Sequence, residues 1–404
     1  MLELIRHKIN EVEITLLETS NKCSRYLLCF EKHYYEVNRN IVDLISVLKR
    51  VDHFQEAVSI LKKEYGRIYS EEEIELLVIK FIKPILEIDE KTSNPFLFKK
   101  EFISGSSIKW ISNLLSILFD RKIIYLLLMI SCCLEIYFFS NFFSQINVHQ
   151  FDLYTFIVLL SLFLISSFIH ELGHASACRY YELEHGGIGF GLYLNFPVFY
   201  TDVSSIWKLS RKKRLLVNFA GVYFQLILLI PILLIYFFTF NSSLKYFIYI
   251  INFNFLLTLN PFLKFDGYWI VSDLLGVPNL RERTTELFLY YFKRIKKDKV
   301  RKPFLFEMKI KEKVMMLLYS LTVNVFFAYY FFFVLPKFLY EFVKTFPDNF
   351  KKMVFELAAG QMPDFQLIQI VIMKFIFFVF TIYLCVRLTL KILHKYNLSK
   401  STKS

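Results

Sequence analysis

Two histidines and a glutamate stand together in His170-Glu171-Leu172-Gly173-His174, near the end of an apolar run that begins around Leu153. Residues four apart lie one above the other on a helix. His170 and His174 can therefore offer two imidazole nitrogens to one metal ion. Glu171 stands near enough to bond a water on that ion without being a ligand itself. This is the physical content of H-E-x-x-H: two zinc ligands and a general base. The setting adds information, because ionisable side chains are costly in an apolar span and rarely occur there without a polar partner or a task. A polar knot joining helices is the competing reading of the same three residues.

A catalytic zinc takes three protein ligands and keeps a fourth position for water. Asp266, His185 and Asp202 are the candidates for the third ligand. Asp266 is favoured. It follows an apolar run, the turn-forming pair Asn260-Pro261 precedes it, and Gly267 behind it allows a close backbone approach. His185, eleven residues beyond His174, has a spacing also seen in some soluble metalloproteases and stays open as the alternative. Asp202 is better suited to capping a turn or helix at Ser204.

The elements that must hold these residues are membrane helices. The 404 residues are 55% hydrophobic and 19% aromatic, with 47 Phe and 25 Tyr. Several runs exceed the roughly 18–20 apolar residues of a membrane span. The expected fold is an all-α polytopic membrane protein with six spans, near 123–143, 153–178, 215–238, 247–263, 314–335 and 367–389. An amphipathic connection, Lys337 to Pro363, joins the last two. The net charge of +13 is then read through topology, since Lys and Arg collect in cytoplasmic loops. Nucleic acid is excluded as a partner, because no basic-aromatic binding module accompanies the charge.

The cations concentrate before residue 105, in 180–214, in 276–313 (Arg281, Arg283, Lys293, Arg294, Lys296, Lys297, Lys299, Arg301, Lys302) and in the tail with Arg387, Lys391 and Lys395. The link from Ser144 to Asp152 carries none. Six spans with both termini cytoplasmic place all four basic segments on one side. The ends of the second and fourth spans then share that face, and His170, His174 and Asp266 fall at a common depth. Glu135, midway along the first span, is better read as a bond to a neighbouring helix than as a catalytic group. The six cysteines lack C-x-x-C spacing and give neither a disulfide framework nor a cysteine zinc site.

Between the second and third spans, Gly186-Gly187-Ile188-Gly189-Phe190-Gly191-Leu192-Tyr193 alternates glycine with apolar residues. No helix opens on these glycines, so they are not a dinucleotide fingerprint. They predict an extended segment. It is either an exposed strand edge that could accept an extended substrate or a hairpin that seals the site.

Residues 1–105 are expected to form a cytosolic, mainly helical domain, and 106–404 the membrane domain. The first hundred residues are polar and charged, so no cleavable signal peptide is expected there. Helical spacing covers Ile41 to Leu48 and Phe54 to Tyr65, with Gly66 ending the second helix. Ser70 and Glu73 form a capping box for a third. Tyr34 to Val37 predicts a short strand. In residues 25–90 this pattern resembles the winged-helix domains that bind leader peptides in peptide-modifying systems. A helical cap packed on the membrane part is the competing reading.

Over residues 150–275 the chain resembles the site-2 proteases, intramembrane zinc metallopeptidases. The resemblance rests on His170, Glu171 and His174 followed by Asn260, Pro261, Asp266 and Gly267. With Phe196 to Ser204 and Lys264 to Trp269 it is most similar to a bacterial branch of peptide zinc metalloproteases associated with peptide maturation or export. It implies one catalytic Zn2+ and hydrolysis of a peptide bond in a membrane-associated or exported peptide. Glu171 would be the general base, and Asn260 would bond substrate backbone or the oxyanion. The implied partners are the peptide substrate, an ABC-type exporter or secretion complex, and the lipid bilayer of a bacterial cytoplasmic membrane. Asn260 also reads as a helix-ending cap before Pro261. Phe265-Asp266-Gly267 replaces the family's Leu-Asp-Gly, and no PDZ-like insertion separates the core helices. A non-catalytic, zinc-stabilised accessory or immunity subunit of an export system is the alternative function.

Overall fold

The computed structural model describes residues 7–20, 24–31, 33–87, 96–143, 152–193, 196–295 and 303–401. The link 144–151 and Lys296, Lys297, Lys299, Arg301 and Lys302 lie outside the described residues. So do the side chains of Lys293, Arg294, Arg387, Lys391 and Lys395.

The N-terminal part is an antiparallel meander followed by helices. Strands β1 (Glu13–Leu17), β2 (Arg25–Phe30) and β3 (His33–Asn38) pair in that order. Helices α1 (Arg39–Leu48), α2 (Phe54–Tyr65) and α3 (Glu71–Leu77) follow, and α3 runs on through a π turn into Lys83–Leu86. Their inner faces, with Leu28, Phe30, Leu44, Leu48, Leu61 and Ile74, make one apolar core. The Ser70–Glu73 capping box forms, and Gly66 ends α2 in the left-handed region at φ 62°. Helices make up most of this part, and it carries a three-stranded sheet where one short strand, Tyr34 to Val37, is expected. Arg-Tyr-Leu-Leu-Cys-Phe does not alternate between polar and apolar, and the alternation of β1 covers only residues 12–16, near the lower limit of a strand signal.

A second sheet joins β4 (Phe96–Ile103), β5 (Ile188–Tyr193) and β6 (Phe196–Thr201), in that order and antiparallel throughout. Glu101 lies opposite Gly189, and Ile188 opposite Thr201. The glycine-rich strand is thus the centre of the sheet and is paired on both sides. This overturns the expectation that residues 186–193 offer a free edge to a substrate. It also pairs residues 96–103, assigned above to the N-terminal domain, with the segment after the metal motif.

Helix α4 (Gly105–Leu115) leads into the apolar helices. These are α5 (Arg121–Phe142), α6 (Leu153–Tyr180), α7 (Arg211–Thr239) and α8 (Ser242–Thr258), then the short α9 (Asp266–Leu275) and α10 (Leu280–Ile295). Among the described residues, five helices are long and apolar enough to cross a membrane: α5, α6, α7, the stretch 310–358 and the start of the last helix. The chain is a helical membrane protein. The expected fourth span is α8, whose 17 residues stand at the short limit for a crossing.

The fifth span does not stop near 335. Helix α11 (Ile310–Tyr329) passes through a π turn (Tyr330–Val334) into α12 (Leu335–Ala358), so 49 residues run as one helix. Pro336 is tolerated because it falls in the first turn of α12, directly after the π turn. The expected amphipathic connection is this continued helix.

The chain divides into two compact units, 1–146 with 158–320, and 147–157 with 321–404. In the second, α12 packs on α13 (Phe365–Ser401) through aromatic pairs, with Phe342 stacked on Phe378 at 4.2 Å. The Lys374 ammonium donates to Thr345 Oγ1 at 2.7 Å.

Candidate metal centre

Helix α6 brings His170 and His174 together, with Nε2 atoms 3.2 Å apart. Asp266, the first residue of α9, places Oδ2 at 3.0 Å from His170 Nε2 and 3.3 Å from His174 Nε2. Three side chains from two helices, ninety-odd residues apart in sequence, thus converge on one point. They form a group that could hold a metal ion.

The hydrogen bonds behind the imidazoles decide what the front presents. His174 Nδ1 lies 2.8 Å from the carbonyl oxygen of Val217. A carbonyl can only accept, so Nδ1 carries a proton, and in the neutral ring Nε2 turns a lone pair toward Asp266. His170 Nδ1 lies 3.2 Å from Gln225 Oε1. The Gln225 amide nitrogen donates to Ser166 Oγ at 3.0 Å, which fixes its oxygen toward the histidine. Both imidazoles are therefore held from behind, as metal ligands usually are. Asp266 Oδ2 is buried and accepts no hydrogen bond. With neutral rings, two nitrogen lone pairs and an orphaned carboxylate oxygen face one another, an arrangement that repels unless a metal ion or a proton lies between. Ligand atoms about 2.0–2.2 Å from a tetrahedral zinc stand roughly 3.3 Å apart, and the observed separations match that spacing. The donor set fits zinc.

Close helix contacts make this possible. A Cβ on Gly221 of α7 would lie 2.4 Å from His170 ring atoms, and one on Gly267 would lie 2.0 Å from the Leu259 carbonyl oxygen. Both positions exclude any larger residue without displacement. Asp273, two turns beyond Asp266 on α9, accepts from Arg214 Nε at 2.6 Å and from Asn218 Nδ2 at 2.9 Å. Its own carbonyl accepts from Arg211 Nε at 2.8 Å. Burial pushes the Asp273 carboxyl upward, and the opposing pull of Arg214 does not fully offset it.

Glu171 is buried next to His170. Its carboxylate is close enough to His170, His174 and Asp266 to interact electrostatically with each. Its backbone carbonyl accepts from Thr201 Oγ1, at the end of β6, at 3.4 Å.

The other candidates lie elsewhere. His185 has both ring nitrogens engaged, Nε2 with Ser112 Oγ at 2.9 Å and Nδ1 with the Gly186 carbonyl at 2.7 Å. It stays outside the three-residue group. Asp202 caps the turn at Ser204, accepting from its amide at 3.0 Å and its hydroxyl at 2.6 Å. Asn260 Oδ1 accepts from the Phe262 amide at 2.8 Å, the local cap, so only its Nδ2 donors are left for a substrate. Glu135 takes both of its contacts from Asn252 Nδ2 on α8, at 3.2 Å each.

Sequence reasoning missed Asn218, Gly221 and Gln225. The signal was present: these residues fall at i, i+3 and i+7 in an otherwise apolar span, on one helical face.

Among curated proteins, the chain is similar to a Bacillus subtilis (strain 168) protein named "Putative peptide zinc metalloprotease protein YydH". The two are 29% identical over 123 residues, which is 30% of this chain and 49% of that protein. The match thus spans about half the length of that relative. The likeness supports a distant zinc metalloprotease-like relationship. No family model matches the chain. No solved structure matches it.

Proposed function

We propose that this chain is an intramembrane zinc endopeptidase of the site-2 protease type. The observation that carries the reading is the orphaned Asp266 Oδ2 facing two Nε2 lone pairs whose imidazoles are fixed from behind. His170, His174 and Asp266 would hold the ion. When bound, zinc supplies a Lewis acid for the scissile carbonyl and lowers the pKa of water toward about 7. Glu171, buried beside the group, accepts the proton from the attacking water and passes it to the leaving amine. Asn260 directs its Nδ2 donors toward substrate backbone.

A helical substrate hides its own backbone hydrogen bonds and must be unwound before hydrolysis. The outer side of β6 is the sheet edge nearest the base, because Thr201 at its end bonds the Glu171 backbone. An extended peptide added there would run past Glu171. The substrate is a membrane-associated or exported peptide, matured in a bacterial cytoplasmic membrane with an ABC-type exporter or secretion complex. The N-terminal domain contacts both segments flanking the centre, through Lys208 with Glu13 and Arg283 with Glu36. That supports placing these basic segments together on the cytoplasmic side.

Comparing membrane-peptide N-termini from cells carrying wild type or Glu171→Gln tests the reading. Termini present with wild type and missing with the variant, at equal zinc content, are expected. Identical termini from both would favour the zinc-stabilised accessory role.

A further inference from the structure

Helix α4 has two faces with opposite surroundings. On one, Ile108 and Ser112 are buried, and Ile108 shares a cluster with Ala175 of α6 and Ile188 of β5. On the other, Trp110, Leu114 and, in the turn that follows, Ile117 are 72%, 59% and 65% exposed. Positions four and seven apart make a single stripe along a helix. Exposed cations Lys109, Arg121 and Lys122 flank it.

We propose that α4 lies in the headgroup layer of an anionic membrane, with the Trp110–Leu114–Ile117 stripe at the acyl boundary. Lipid is the occupant for three reasons. The stripe leads in sequence into α5, a helix suited to crossing a bilayer, whose Leu126, Met129 and Ile136 are exposed as well. It is headed by a tryptophan, the side chain enriched where apolar tails meet polar headgroups. Its cationic flank complements anionic headgroups.

The placement sets the depth of the centre. Ile108 shares its cluster with Ala175, the residue after His174, and Asn113 of α4 accepts from Arg179 Nε of α6, so α4 pins the ligand-bearing end of α6 near the membrane boundary. The length of α6 agrees. Its 28 residues span about 42 Å, against a hydrocarbon core of about 30 Å. The excess of about 12 Å is about eight residues of helix, so with Leu153 at the far boundary His174 stands near the hydrocarbon edge and His170 about one turn inside it. Only the description of His170, His174 and Asp266 as a metal site rests on the function proposed above. The position of α4 does not.

The test uses the full chain in phosphatidylglycerol–phosphatidylcholine vesicles brominated either near the headgroup or near the chain end. The emission of Trp110 is the difference between wild type and Trp110→Phe. Headgroup-proximal bromine is expected to remove most of that emission, and chain-end bromine and aqueous iodide little of it. Leu114→Trp in the Trp110→Phe background is expected to restore a component with the same profile. Quenching by iodide alone would put the stripe in water. Quenching by neither agent would put it under protein. Either result overturns the proposal, and neither depends on whether the chain is a protease.

Discussion

Arg214 Nε and Asp273 Oδ1 meet at 2.6 Å, and both side chains are buried. Arg214 belongs to α7, whose Val217 carbonyl holds His174 from behind. Asp273 belongs to α9, whose first residue is Asp266. The pair therefore fixes the helix that orients one ligand against the helix that supplies another. Asn218 completes the clamp at 2.9 Å, and the Arg214 guanidinium lies 5.2 Å from the Trp207 ring centre.

Removing one member of a buried ion pair leaves a buried charge uncompensated, at a typical cost of about 3–5 kcal/mol. Asp273→Ala is expected to lower stability by that order and to shed zinc to a chelator faster than wild type. Thermal melting and chelator competition on the detergent-solubilised chain measure both. Wild-type zinc retention in a folded Asp273→Ala protein would show that the clamp does not position Asp266.

Gln225→Ala removes the acceptor behind His170 while leaving every proposed ligand in place. Losing such a partner typically weakens metal binding by about 10–100-fold, and competition with a zinc dye should show a loss in that range. Gly221→Ala is expected to lose more, since its new methyl group would collide with the His170 ring itself.

Burial holds the His185 imidazole below its usual value, against the support of its bond to the Gly186 carbonyl. In the pH interval between the lowered folded value and the ordinary value of 6.5, the folded state binds fewer protons than the unfolded state. Its contribution to stability is therefore present above about pH 6.5 and is lost as pH falls through the folded value. Melting temperatures of wild type and His185→Gln should diverge least at about pH 5 and most at about pH 7.5. A constant difference would show that the ring does not titrate on unfolding.

The meeting of His170, His174 and Asp266 was legible in the sequence because each part of it is local. Helical spacing aligns the histidines, and Asn260-Pro261 with Gly267 marks a turn that presents a carboxylate. The place of 186–193 was not legible. Strand character follows from composition, but centre or edge depends on a partner, Phe96–Ile103, far away in the chain. The end of the fifth span expected near 335 is not a break, because a π turn before Pro336 lets the helix continue. Strand β2 carries no alternation and that of β1 is only a few residues long, so tertiary packing is needed to reveal the sheet.

X-ray absorption at the zinc edge, on the purified full chain and its variants, tests most directly whether these three side chains bind one ion. One zinc per chain is expected, with two imidazole nitrogens and a carboxylate oxygen at about 2.0–2.2 Å. The zinc should be lost in His170→Ala, His174→Ala and Asp266→Ala and kept in Glu171→Gln. A folded wild-type chain that takes up no zinc, with a protonated imidazole bridging to Asp266 instead, would contradict the metal centre. So would a zinc whose coordination is unchanged in Asp266→Ala.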